Sequence, residues 1–300
     1  VEAQIPELDD ASIVLEADPR DSTVAIALAA AILRRREPDV IVGSFAADHV
    51  IDDERSFRRA VGEAVAAARA GYIATIGITP TEPAIGFGYI RAGESAGVDG
   101  APSAALVREF VEKPSAKVAR KYVDGGDYLW NAGMFIARAD VLLEELAREE
   151  PELAAQIEEL AEVWDESAQR GPAVDRLWPQ LKKIAIDYAV AEPAAARGRM
   201  VVVPGDFDWD DVGDFSAVAK LHNGAHRGRL AILGTEGTVI ADSASGIVVS
   251  QSNRIVSVVG IQNVVVVDTP DALLVTTTDN AQRVKQVVDA VRRSGNTDAL

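Results

Sequence analysis

The sequence has 300 residues, 48% hydrophobic and 26% charged, a balance that fits one large globular domain or two. Its net charge of −17 makes duplex nucleic acid and anionic membranes poor partners. The absence of cysteine excludes disulfides and thiolate metal sites and leads to the expectation of a cytoplasmic protein.

Taken in order, the chain opens "VEAQIPEL", without Met, in what reads as mid-domain sequence, so a fragment or processed product is expected. No apolar run approaches the ~20 residues of a membrane span, and no signal peptide is recognisable. Residues 12–15 (SIVL) read as a short strand. Residues 22–36 read as a helix, with Asp21 or Ser22 as N-cap and three arginines in the last turn. "DVIVGSF" (39–45) is a continuous apolar run of the kind buried on both faces of a sheet. A helix over 54–70 stops at Gly71, and 72–78 reads as the next strand. This alternation predicts a doubly wound α/β layer. Further strands are predicted at 105–111, 132–137 and 199–203, and helices at 138–149, 151–168 and 186–197.

The texture changes after Gly228. "TVIA", "GIVVS", "RIVSVVG", "NVVVVD" and "ALLVTT" recur every eight to ten residues, roughly, separated by turn formers, as in an all-β module of short strands. A last helix near 280–293 carries Val284, Val287, Val288 and Val291 on one face. The predicted division is therefore 1–226 and 227–300. So aliphatic a module needs cover, and a homodimer formed through it is expected.

Six segments hold candidate chemistry. Asp48, in "AADHVI", follows the 39–45 strand, at the sheet edge where ligands bind in open α/β folds, although it could equally cap a turn. "DWDDVGDF" (208–215) packs four acids around a tryptophan and a glycine, which like-charge repulsion tolerates only with water or a cation between them. It is a solvated acidic turn or, with Asp211 brought to Asp48, a Mg²⁺ site. In "REFVEKP" (108–114), Lys113 is one of seven lysines against twenty-three arginines, placed to offset a phosphate, with Glu112 free for sugar hydroxyls; a plain surface pair is the alternative. Gly86 and Gly88 flank Phe87 in "AIGFGYIR", allowing close backbone approach, and Asn131 in "YLWNAGMFIA" is expected at the start of a strand, where it bonds a sugar or caps a turn. Arg20 in "EADPRDS" stands at a helix N-terminus, a natural anion or base-edge site. His222 and His226 lie at i, i+4 with no third ligand of the usual type nearby, and read as a surface pair.

In their order and spacing, "EADPRDSTVAIALAA", "AADHVI", "TPTEPAIGFGYIRAGE", "FVEKP", "WNAGMFIA", "FDWDDVGDF" and "VVVVDTPDALLVTT" resemble the mannose-1-phosphate guanylyltransferases, in their short, single-activity bacterial form, along nearly the whole chain. The resemblance implies a Rossmann-like nucleotidyltransferase domain, with a mixed, mostly parallel sheet and helices on both faces, followed by a small left-handed β-helix. It implies GTP and mannose 1-phosphate as substrates and Mg²⁺ as cofactor. Asp48 and Asp211 would hold the metal, with Asp48 also on the nucleotide side. Lys113 would bind the sugar phosphate, Glu112 and Asn131 the mannose hydroxyls, Gly88 the sugar through its backbone, and Arg20 the guanine side.

The chain departs from the family pattern in three places. Asp210-Asp211-Val212-Gly213-Asp214-Phe215 stands where the family reads Ser-Asp-Val-Gly-Ser-Trp, and Asp21 stands where it commonly has Asn. The family's first strand and glycine-rich triphosphate loop, ending Arg-Leu-Trp-Pro, are expected upstream of Val1. "RLWP" at 176–179 follows no such loop and is read as coincidence. Three alternatives stay open: a non-catalytic sugar-nucleotide-binding or regulatory subunit, a pyrophosphorylase for another nucleotide-hexose pair, and a glycosyltransferase using the D-x-D of Asp206–Asp208 or Asp208–Asp210.

Overall fold

The computed structural model describes residue 5 and residues 7–223, 229–234 and 238–295. His226, half of the i, i+4 pair, and the expected boundary at 226/227 lie outside the described residues. The chain divides into two compact units. One comprises the residues up to Ala47 together with Ile51–Asp208; the other comprises Asp48–Val50 and the residues from Trp209 onward.

In the first unit, helix α1 (Asp21–Arg36) opens one residue earlier than predicted and has no side-chain cap, because Asp21 turns its carboxylate onto the Ser22 amide at 2.9 Å. The strand expected at 12–15 is absent. Ser12 donates its N–H and its hydroxyl to Asp9 Oδ1 at 2.9 and 2.6 Å, which curls the chain into a 3-10 turn over Asp10–Ser12. Strand β1 (Ile41–Ser44) is only half-buried and lies at an edge of the sheet, a correction to the reading of 39–45 as buried on both faces. A short strand β2 (His49–Ile51), whose first two residues belong to the second unit, follows, and then α2 (Glu54–Arg69) of the first unit, capped by Asp53 on the Ser56 amide at 3.0 Å.

The sheet continues with β3 (Ile73–Ile78), β4 (Tyr89–Ser95) and β5 (Ala105–Val111), then α3 (Ala116–Gly125) and the long β6 (Tyr128–Arg138). Helices α4 (Ala139–Glu149), α5 (Pro151–Glu162) and α6 (Ser167–Leu177) follow. The predicted helix 186–197 is a π-helical turn over Asp187–Ala191 that runs into α7 (Glu192–Ala196), and β7 (Met200–Gly205) returns to the sheet.

Strand order is β1-β6-β3-β7-β5-β4. Every residue of β3 is buried, so both faces of the sheet centre are covered. The sheet is mixed, as expected, but its parallel share is smaller than expected. Among the described pairings only β3–β7 runs parallel, because β6 enters between β1 and β3 in the antiparallel sense. Val24, Leu28 and Ile32 of α1 pack with Leu142 and Leu146 of α4 and Leu153, Ile157 and Leu160 of α5. Burying each such side chain contributes about 1.5–3 kcal/mol. Trp178 of "RLWP" belongs to the same core and donates Nε1–H to the Asp18 carbonyl at 2.8 Å, so this tetrapeptide is a packing element.

The second unit contains β8 (Trp209–Asp211), which pairs with β2, and α8 (Phe215–Asn223). Its β-helix consists of β9 (Leu230–Leu233), β10 (Thr238–Asp242), β11 (Gly246–Ser250), β12 (Ile255–Val259), β13 (Val264–Asp268) and β14 (Leu273–Thr277). Strands β9, β11 and β13 stack in parallel, as do β10 and β12, with Val248, Val258, Val264 and Val266 between the ladders. A 3-10 turn leads into α9 (Val284–Ser294), which fully buries none of its residues: of the valine stripe read from the sequence, Val284, Val288 and Val291 are half-buried and Val287 is exposed.

Gly246 shows how tightly the coils stack. It adopts φ +121°, and a Cβ there would collide with the Val264 backbone. Gly246→Ala is therefore expected to destabilise this unit by more than about 2 kcal/mol, since it adds backbone strain to a clash that no side chain can relieve. Urea unfolding followed by circular dichroism checks this, and an unchanged midpoint would contradict the stacking described.

Candidate functional site

The acidic octet divides its labour. Asp208 gives its backbone carbonyl to the Asp52 amide at 3.2 Å. Asp210 forms an ion pair with Lys220 at 2.5 Å. Asp214 caps α8 by accepting from the Ser216 and Ala217 amides at 2.8 and 3.0 Å. Asp211 alone turns to another carboxylate. The pairing of β8 with β2, closed by Val212 N–H on the Asp48 carbonyl at 3.1 Å, brings Asp48, His49 and Asp211 together. One ligand atom from each lies within 4.8 Å of the others.

Burial, and then the charge of Asp48, raise the Asp211 pKa above its ordinary value, while His49 opposes the shift. The His49 ring sits edge-on to Trp209, with centroids 5.4 Å apart, and its Nδ1 is buried with no hydrogen-bond partner among the described residues. Two crowded carboxylates beside an unpartnered imidazole nitrogen fit a divalent cation, since a cation would relieve the repulsion and take up the free donors. His49 was not singled out from the sequence. Its position beside Asp48 in "AADH" was the available signal.

The first unit assembles a second group. Beyond the end of β5, Lys113 adopts φ +46°, a left-handed conformation that costs a non-glycine residue about 1–3 kcal/mol and that here precedes a proline. Glu192, at the start of α7, holds the bend by accepting the Glu112 amide at 3.2 Å. Lys113 Nζ lies 2.9 Å from Glu112 Oε1. The Glu112 side chain is 6% exposed, and its Oε2 has no partner among the described residues. Burial pulls the Lys113 pKa down, but the hydrogen bond and charge of Glu112 and the charge of Asp187 outweigh it, so the net shift is upward and the ammonium stays charged.

Asn131 lies inside β6, next to a bulge in its pairing with β3, rather than at the start of a strand as expected. Its Oδ1 accepts from Thr75 Oγ1 at 2.8 Å and from the Gly133 amide at 3.2 Å, and its Nδ2 donates to Asp187 Oδ1 at 2.9 Å. The Asn131 amide also donates to the Gly88 carbonyl at 2.8 Å. At Gly88 a Cβ would stand 2.5 Å from Glu112 Oε2, so glycine is what leaves room for the buried carboxylate. Gly88, Glu112, Lys113 and Asn131 thus form one cluster, and Asp187 and Glu192 join it without having been anticipated.

Arg20 is at the N-terminus of α1 as read; its two terminal nitrogens have partners, while its Nε is buried with no hydrogen-bond partner among the described residues. The terminal nitrogens meet Asp18 at 3.5 Å and the Leu181 carbonyl at 3.4 Å. His222 Nδ1 lies 3.0 Å from the Val218 carbonyl, one turn back on its own helix.

Comparison with known proteins gives the geometry a lineage. Residues 2–228 match the nucleotidyl transferase family, and residues 236–291 match the mannose phosphate isomerase/GMP-like β-helix domain. The xanthan biosynthesis protein XanB of Xanthomonas campestris pv. campestris (strain B100) is 37% identical over 297 residues, which cover 96% of this chain and 59% of that protein. The mannose-1-phosphate guanylyltransferase of Escherichia coli (strain K12) is 36% identical over 286 residues, covering 95% of this chain and 58% of that one. The chain therefore spans about three fifths of the length of these relatives. A crystal structure from Thermus thermophilus, described as a mannose-1-phosphate geranyltransferase, matches with TM-score 0.76 at 30% identity, covering 97% of this chain and 81% of that one. The chain belongs to the nucleotidyl transferase family, with a match to the β-helix domain after the transferase region, and is similar along nearly its whole length to proteins named mannose-1-phosphate guanylyltransferase.

Proposed function

We propose that this protein transfers a guanylyl group from GTP to mannose 1-phosphate, forming GDP-mannose and releasing pyrophosphate. A phosphate oxygen of the sugar attacks the α-phosphorus, the bond from the α-phosphorus to the bridging oxygen breaks, and pyrophosphate leaves with the electron pair. No covalent enzyme intermediate is required, so positioning and charge neutralisation supply most of the rate. The observation that carries this reading is the Glu112–Lys113 bend. There a charged ammonium and a buried, unpartnered carboxylate oxygen lie side by side, as a molecule with both a phosphate and hydroxyls requires.

Lys113 pairs with the sugar phosphate, Glu112 Oε2 accepts a hydroxyl proton, Asn131 donates its remaining N–H, and Gly88 lets the sugar approach the backbone. Asp48 and Asp211, with His49 beside them, would hold a divalent cation, Mg²⁺ in this reading, which supplies neutralisation of the nucleotide phosphates when bound. Arg20 is assigned to the base side. The functional division follows residues 1–226 and 227–300. Exposed Ile240, Ile255, Val259, Leu273 and Val275 on the β-helix support a homodimer formed through that module. No helix among the described residues is long and apolar enough to cross a membrane. A nucleoside triphosphate substrate suits a cytoplasmic setting.

Pyrophosphate release, measured with each of the four nucleoside triphosphates against mannose 1-phosphate and glucose 1-phosphate, tests the assignment. Release is expected to be fastest with GTP and mannose 1-phosphate, and to require both. Preference for another pair would replace the substrate assignment, and release of a nucleoside diphosphate in place of pyrophosphate would remove the reaction class.

A further inference from the structure

The Asn131 amide has two acceptor lone pairs and two N–H donors. Thr75 and the Gly133 amide occupy the oxygen, and Asp187 takes one N–H. A backbone amide only donates, so the Gly133 contact fixes which end of Asn131 is oxygen and turns its NH2 toward Asp187. One N–H is left for a ligand. Asn131 can therefore donate to a sugar hydroxyl but cannot accept from it, and the hydroxyl's own proton must find another acceptor. Two carboxylates are at hand: Glu112, whose Oε2 is buried without a partner, and Asp187, which already touches Asn131.

We propose that Asp187 belongs to the sugar site, fixing the Asn131 amide and sharing with Glu112 the acceptance of protons from two neighbouring hydroxyls of a hexose 1-phosphate. This rests on the sugar 1-phosphate reading given above. The π-helical turn at Asp187–Ala191 suits such a role, because π-turns in short stretches concentrate at functional sites. The groups facing Asp187 are Glu112 and Lys113 from the end of β5, Asn131 from β6, Tyr188 from its own turn and Glu192 from α7. Burial first, and then the charges of Glu112 and Glu192, push the Asp187 pKa up to about 6, with Lys113 opposing. Below that value the carboxyl is protonated, so it loses its charge and turns one acceptor position into an O–H donor, and sugar affinity falls as the pH drops through it.

Steady-state kinetics of wild type, Asp187→Ala and Asp187→Asn, using mannose 1-phosphate, its 2-, 3- and 4-deoxy analogues and GTP, decide the matter. Asp187→Ala is expected to raise KM for mannose 1-phosphate at least tenfold, to leave KM for GTP within twofold, and to lose discrimination against one or two of the deoxy analogues. Asp187→Asn keeps an acceptor for Asn131 and nearly the same volume. It is expected to raise the sugar KM less and to abolish the rise in KM that wild type shows below pH 6. A merely structural carboxylate would move neither the deoxy discrimination nor the acid limb. Unchanged discrimination in Asp187→Ala, or an unchanged acid limb in Asp187→Asn where the alanine variant does not fold, overturns the inference alone. A wild type that turns over no sugar phosphate overturns the nucleotidyl-transfer reading, and this inference with it.

Discussion

Lys113→Ala is expected to lower kcat for GDP-mannose formation by about 10²–10³, the scale seen when one preorganised electrostatic group is removed from a reaction between two anions. The reason lies in how the bend is built. The Lys113 side chain is 57% exposed, so truncation opens no core cavity and the melting temperature should stay within a few degrees of wild type. The backbone nevertheless holds this residue at a strained left-handed φ between a buried glutamate and a proline, with Glu192 clamping the Glu112 amide. Strain of that kind persists only where the surroundings over-determine it, and here it fixes the direction of a charge. Arginine, with its planar fork, cannot reproduce a compact ammonium there, so Lys113→Arg should recover little of the rate. Wild-type kcat in Lys113→Ala, measured by pyrophosphate release at saturating GTP and sugar phosphate, would remove the assignment.

Asp211→Asn has the other large effect: activity dependent on a divalent cation is expected to fall by about 10³ or more, since the substitution removes one of two carboxylates that would hold the ion. The same change should stabilise the metal-free protein at neutral pH. The Asp211 pKa is raised in the folded chain, by burial and by Asp48. The native state therefore gains from protonation of this group at low pH, fully so below its ordinary carboxylate value, and loses that gain as pH rises through the raised one. Asparagine carries no charge at any pH and escapes the penalty. Thermal melts with chelator present, from pH 4 to 8, should show Asp211→Asn overtaking wild type as the pH rises. Melting curves that stay parallel would mean that the two carboxylates do not repel.

Much of the fold was legible in the sequence wherever burial was uniform. The strand predicted at 105–111 is β5, the helix at 54–70 is α2 to within a residue, and the short strands after 238 follow the runs of valine and isoleucine. Local pattern failed where a distant partner decided the outcome. Residues 12–15 had the composition of a strand, but Asp9 captured Ser12. Residues 39–45 had the composition of a central strand, yet β6, some ninety residues later, came between β1 and β3 and left β1 at the edge. Helix α3 was missed although its apolar residues keep a helical period, and it is only ten residues long; α6 was missed because its period is weak and it carries Pro172 inside it.

The candidate site divides in the same way. Asp48 and Asp211 stood out as carboxylates just past apolar strands, and the structure places them side by side. Glu112 and Lys113 stood out because lysine is scarce in this chain. His49 did not, although it adjoins Asp48 in "AADH", and Asp187 did not, because nothing in its neighbouring residues announces it. The packing of β2 on β8 gives one its place, and a hydrogen bond from Asn131 gives the other its place, across 56 positions of sequence.

The central claim is that Asp48 and Asp211 jointly hold one divalent cation for nucleotidyl transfer. Titration of Mn²⁺ into the protein in the presence of GTP, followed by electron paramagnetic resonance, tests it most directly. One tightly held ion per chain is expected beyond that bound by free nucleotide, and it should be lost in both Asp48→Asn and Asp211→Asn. Equal stoichiometry and affinity in either variant would contradict the claim.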